Sequence, residues 1–266
     1  MGSSLRHLPI YATLAMLLIS CGPALGQSIP SGSPSFQERI REVARALQNQ
    51  PTLKELSEQE RIDRVEFVVG NTLFILLHEL GHVHISDMQF PVLGREEDAA
   101  DTFAAITMLK IGTSFSQRVL ANASQGWFLS ERRDQQTGAE LLYYDEHDLS
   151  PQRAYWIVCL MVGSDPAKFK ILADDAKMPE SRQQSCKANY AKASCSWDMV
   201  LEPYRRSPDQ QETKINVRYG DAEGTFDVFA RAFRAMRILE TVAERSTSGY
   251  VWSAPFTLEM RSCGWN

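Results

Sequence analysis

Along most of this chain the apolar positions recur every three to four residues, the spacing of a helix with one buried face. Phe36, Ile40, Val43, Ala44 and Leu47 fall on such a face, behind a Ser35-x-x-Glu38 capping box. Thr52-x-x-Glu55 and Ser57-x-x-Glu60 repeat the start signal, so the region reads as helix with short turns. From Val65 to Leu77 the chain is apolar on nearly every side, which predicts a buried helix rather than a surface one. That run leads directly into His78-Glu79-Leu80-Gly81-His82. Phe90-Pro91-Val92-Leu93-Gly94 then breaks it, and a new helix is expected near Arg95. Ser150-Pro151 supplies an N-cap and a first-turn proline for a helix ending near Gly163. Phe226, Phe229, Ala230, Phe233 and Met236 mark a further amphipathic helix. Only Ile215-x-Val217-x-Tyr219 and Phe256-x-Leu258-x-Met260 alternate as strands do. The expected fold class is mainly α, formally α+β with minor strands.

The N-terminus is organised differently. Arg6 and His7 precede an apolar run, Ile10 to Ile19, that is too short to span a bilayer comfortably. Ala24-Leu25-Gly26 follows, so residues 1–26 read as a cleaved secretory signal peptide. Leu18-Ile19-Ser20-Cys21 also resembles a bacterial lipobox, which would lipidate Cys21; only then would the chain contact a membrane. Residues 27–35 form a polar Ser/Pro/Gly linker expected to be disordered, and 36–266 one catalytic domain. Both processing readings export the protein, to the periplasm or beyond.

Composition narrows the partners. The 266 residues carry a formal net charge of −5 without any long run of one sign, which argues against nucleic acid. Four cysteines remain after processing: Cys159, Cys186, Cys195 and Cys263. In an oxidising compartment they predict two disulfides, and the three possible connectivities stay open. Oligomeric state is not legible.

The chemistry is concentrated at His78, Glu79 and His82. Histidines four apart on a helix share a face and can hold one Zn²⁺, each Zn–N bond being about 2.0–2.1 Å. Glu79 lies beside them as a general base for water on the metal. A chance match is the bland alternative. It would leave two of only five histidines clustered on a buried helix, with a desolvation cost and nothing to offset it. Catalytic zinc usually has three protein ligands and one open position. Glu97 and Asp101, four apart on the next expected helix, supply the rest: Glu97 as third ligand, Asp101 as acceptor for the second ring N–H of His78. Glu96 is the competing ligand, and a solvated acidic helix start the competing explanation. His147 stands in a loop before Ser150-Pro151 and is assigned to the oxyanion of a tetrahedral intermediate, with Tyr143, Tyr144 and Tyr219 as weaker candidates. An ordinary loop histidine explains it equally well. His84 points to another face and reads as structural, and Arg153 as a salt-bridge residue, with Asp145 or a substrate carboxylate as alternative partners.

His-Glu-x-x-His followed by Glu-x-x-Ala-Asp resembles the gluzincin branch of zinc peptidases. Phe74 to Ala105, with Pro91 to Asp101 inside it, is more closely similar to a bacterial family of exported proteins named as metallopeptidases for this motif. The similarity extends through Asp145-Glu146-His147, Gln152-Arg153, Gly163-Ser164-Asp165-Pro166 and Ser196-Trp197 to Pro203-Tyr204. The resemblance implies a zincin-like domain and hydrolysis of a peptide or protein substrate. It differs from better-known gluzincins in its shorter gap before the third ligand. Two further readings stay open: a non-enzymatic zinc-stabilised binding or scaffold protein, and an amidase acting on cell-wall peptides with the same chemistry.

Overall fold

The computed structural model describes residues 36–220, 233–234 and 236–260. Eight α-helices and two strands are defined among them: α1 (Phe36–Ala46), α2 (Glu58–Asp87), α3 (Glu96–Ile111), α4 (Ser114–Thr137), α5 (Ser150–Ser164), α6 (Pro166–Asp175), α7 (Glu180–Leu201), β1 (Ile215–Tyr219), α8 (Ile238–Gly249) and β2 (Phe256–Met260), with one 3-10 turn at Glu202–Tyr204. The protein is mainly helical. The two strands anticipated from alternation pair with each other in parallel, Val217 opposite Leu258. The signal-peptide, linker and Ser35 capping-box readings lie outside the described residues, as do Cys263 and most of the helix expected around Phe226.

α2 is the axis of the fold. Ser57 caps it with a reciprocal capping box: the Glu60 amide donates to Ser57 Oγ, and the Ser57 amide donates to Glu60 Oε2 at 2.8 Å. Thr52 and Glu55, by contrast, lie in a run of turns rather than a helix. Leu53, buried beneath those turns, fixes them in place. Val65, Val69, Leu73, Phe74 and Leu77 of α2 are buried, while Ile75 reaches the surface, so the helix is embedded on most sides but not all. α3 and α4 pack on α2, and α5 packs between α4 and α7. Their shared core includes Ala104 and Ile106 of α3, Val119 and Leu120 of α4, and Ile157, Leu160 and Met161 of α5. At about 25 cal/mol per Å² of apolar surface removed from water, such a core fixes the helix positions far more firmly than helix propensity could.

Local signals set the ends. Thr113 caps α4, its Oγ1 accepting from the Ser116 amide at 3.0 Å, and Gly138 closes it with a left-handed φ of 66°. Leu149, not Ser150, is the cap of α5; its amide donates to Gln152 Oε1 at 3.1 Å, which shifts the expected start by one residue. Asp165 caps α6 through the Lys168 amide at 3.0 Å, with Pro166 in the first turn. Cys159 of α5 and Cys186 of α7 form a disulfide. Near it Gly163 lets the two helices meet: a Cβ there would stand 2.6 Å from Tyr190 Cβ and overlap the Cys186 carbonyl.

Candidate metal centre

His78, Glu79 and His82 lie on α2, and Glu96, Glu97 and Asp101 on α3. The two helices approach closely because residue 81 has no side chain. A Cβ on Gly81 would stand 3.0 Å from Ala100 Cα and 3.3 Å from Phe103 Cδ1. With that spacing, the carboxylates of α3 reach the imidazoles of α2. The loop between α4 and α5 brings His147 to the same place.

Three imidazoles turn Nε2 toward one oxygen, Glu97 Oε2: His147 at 2.9 Å, His78 at 3.0 Å and His82 at 3.3 Å. His78 and His82 also bring their Nε2 atoms within 3.1 Å of each other. On the far side of each ring, Nδ1 meets a carboxylate oxygen: Asp101 Oδ1 at 2.8 Å for His78, Glu96 Oε1 at 2.8 Å for His82, and Asp145 Oδ1 at 3.1 Å for His147. A carboxylate accepts at Nδ1, so each neutral ring carries its proton there and leaves Nε2 bare.

The consequence decides what the centre can hold. Glu97 Oε2 is buried and accepts no hydrogen bond among the described residues. Bare nitrogen lone pairs facing a bare carboxylate oxygen at these distances repel one another, and burial leaves no water to intervene. A cation between them removes the conflict. Four donors around a tetrahedral zinc would sit about 3.3–3.4 Å apart, given Zn–N bonds of about 2.0–2.1 Å. The observed separations of 2.9–3.3 Å lie just inside that figure. His78, Glu97 and His147 in particular lie close enough together to hold a metal ion, and His82 adjoins them. The donor set of imidazole and carboxylate suits zinc, with other divalent ions acceptable.

The electrostatics are consistent with a site for a cation. Burial disfavours the charged form of His82, but its hydrogen bond to Glu96 and the nearby Glu97 and Glu79 charges outweigh that and raise its pKa. Burial likewise pushes Asp101 upward, yet hydrogen bonds from His78 and Arg153 hold it below the ordinary aspartate value.

His78, His82, Glu97, Asp101 and His147 are therefore brought together. Glu79 is exposed on α2, and its charge is near enough to help raise the pKa of His82. Tyr143 and Tyr144 are exposed on the loop, and the Tyr219 hydroxyl donates to Glu240. His84 is buried away from the centre, against the rings of Phe103, Tyr250 and Trp252. Arg153 pairs with Asp101 and not with Asp145, Nε to Oδ2 and Nη2 to Oδ1 both at 2.7 Å. Two contributors escaped sequence reasoning. Glu96, weighed there only as a ligand, supports His82; Asp145 supports His147, for which Asp-x-His was the available signal.

No curated protein and no solved structure matches the chain. Residues 38–201, which include every residue of the centre from His78 to Arg153, match the family DUF4344. The chain belongs to that family, whose description is "Putative metallopeptidase".

Proposed function

We propose that the chain is an exported zinc peptidase with His78, His82 and Glu97 as metal donors and Glu79 as general base. One observation carries the reading: the bare Nε2 atoms of a helix-borne His pair converge on the buried, hydrogen-bond-free Glu97 Oε2. A zinc ion bound there would supply Lewis acidity toward a substrate carbonyl and make water more acidic. The chain's own residues do the rest. Asp101 and Glu96 fix the ring orientation and tautomer of His78 and His82. Exposed Glu79 takes a proton from the attacking water and delivers it to the leaving nitrogen, the two proton transfers that amide hydrolysis needs. Export is supported by the Cys159–Cys186 disulfide, which suits an oxidising compartment. No described helix is long and apolar enough to cross a membrane. A zincin-like arrangement is supported by the motif's position on α2.

A zinc-stabilised, non-enzymatic role gains one specific point, since His147 brings a fourth donor and structural zinc is commonly closed by four. Metal content and peptide hydrolysis of the mature wild type and Glu79→Gln separate the readings. One zinc in each, with hydrolysis in wild type alone, is the expected result. Zinc in both without hydrolysis, across peptides and cell-wall muropeptides, assigns the metal to a structural role. Absence of zinc from both overturns the proposal.

A further inference from the structure

His147 has the same two-sided arrangement as the histidines of α2: Nδ1 on a carboxylate, Asp145, and Nε2 on Glu97 Oε2 at 2.9 Å. That arrangement bears on its chemistry. A histidine that stabilises an oxyanion must offer N–H toward it, whereas Asp145 draws the proton of a neutral His147 to the other side of the ring. What His147 turns toward the centre is a lone pair, the property of a ligand. Its ring stands nearly parallel to that of His78, at 23°, with centroids 6.1 Å apart, so both rings present the same edge to the centre.

His147 differs from the other donors in how it is held. His78, His82 and Glu97 are fixed by packed helices, with side chains 5%, 25% and 17% exposed; that of His147 is 46% exposed and sits on a loop. The loop's fastenings are polar and near the surface. The His147 amide and Nδ1 both donate to Asp145 Oδ1, and the neighbouring Asp148 pairs with Arg95. Asp148 also borders a cavity of about 400 Å³, which leaves open space on one side of the loop. Moving His147 outward therefore breaks surface hydrogen bonds but no core packing.

We propose that His147 is a fourth, displaceable metal donor: it closes the resting centre and withdraws when a peptide carbonyl arrives. This rests on the zinc-peptidase reading above, because a centre with four protein donors offers no open position and hydrolysis requires one. The loop acts as a self-inhibiting strap at the same site.

The test counts imidazoles by X-ray absorption on the zinc-loaded mature protein, beside a zinc-affinity titration. Wild type should show three, and His147→Ala two, with zinc affinity lowered at least about tenfold and the helical circular dichroism unchanged. Asp145→Asn, which loosens the ring without removing it, should lower the affinity less. Saturation with a peptide hydroxamate should bring wild type from three imidazoles to two. Two imidazoles at rest, with affinity unchanged in His147→Ala, would overturn the assignment while leaving the peptidase reading intact. Three that persist under hydroxamate would make His147 a permanent ligand and end the strap. A protein that takes up no zinc removes the peptidase reading first, and this inference with it.

Discussion

Arg153 grips Asp101 with a bidentate pair, both contacts at 2.7 Å, while its guanidinium lies 3.8 Å above the ring of Trp127. Both partners of the pair are buried, and Asp101 Oδ1 is the atom that meets His78 Nδ1. The chain Trp127–Arg153–Asp101–His78 is thus a continuous support running from half-buried Trp127 to the candidate metal centre. The planar fork of arginine matches a carboxylate in a way lysine cannot.

Arg153→Met should accordingly leave Asp101 as a buried, uncompensated carboxylate and destabilise the protein by about 3–5 kcal/mol. The double variant Arg153→Met/Asp101→Asn removes the charge and should recover most of that loss. It should not recover zinc affinity, which is expected to fall about 10–100-fold once His78 loses its oriented acceptor. Urea unfolding and a zinc titration on the two variants distinguish these effects. Recovery of both quantities together would mean that Arg153 is structural only.

The glycine of the motif has its own role. Because a Cβ at residue 81 would press on Ala100 Cα at 3.0 Å, Gly81→Ala must push α3 away by a few tenths of an ångström. Glu97 sits one turn from that contact, so zinc affinity should fall by about tenfold with a stability cost of about 1–3 kcal/mol. Gly81→Val, with branching at Cβ, should abolish metal binding. Metal affinity equal to wild type in Gly81→Ala would show that α3 adjusts without moving Glu97.

Near the disulfide a similar contact governs stability alone. Gly163→Ala places a methyl on the Cys186 carbonyl, a backbone atom that cannot rotate away. The expected cost is about 2–4 kcal/mol, with metal affinity per folded molecule unchanged, because α5 and α7 must separate. Thermal unfolding of the oxidised protein measures it. A melting temperature within a degree of wild type would indicate that α7 shifts freely.

Much of this was legible because the signals were local. Ser57-x-x-Glu60, the break at Phe90–Gly94 and the alternation at Ile215–Tyr219 each depend on residues a few positions apart, and each marked its element. Likewise the four-residue spacings of His78/His82 and Glu97/Asp101 gave one helix face apiece. α4 left a weaker pattern, since beyond Ala123 and Ser124 it is mostly half-exposed and its length is set by Thr113 and Gly138 at the ends. Pairings distant in sequence carried no signal at all. Arg153 and Asp101 lie 52 residues apart, and nothing in their local sequence favours that pairing over Arg153 with Asp145. The neighbours of His147 were hidden for the same reason, since its contacts with Asp145 and Glu97 depend on tertiary placement.

His84 makes the protein sensitive to acid independently of the metal. It is fully buried, neither ring nitrogen has a hydrogen-bond partner among the described residues, and burial lowers its pKa from 6.5 to about 3, against a small opposing effect of Asp87. The folded state therefore keeps His84 neutral where the unfolded chain takes up a proton. Stability from this group is complete above pH 6.5 and is lost as pH falls, at about 1.4 kcal/mol per unit, until the folded pKa near 3 is reached. His84→Phe retains a ring among Phe103, Tyr250 and Trp252 but has nothing to protonate. Urea unfolding of the metal-free proteins at pH 6 and pH 4 isolates the effect, since every other titrating group is common to both. Over those two units the variant should gain about 2–3 kcal/mol relative to wild type. Parallel stability curves would mean that the folded protein accommodates a charged His84, and that the aromatic pocket is open to water on the timescale of proton uptake.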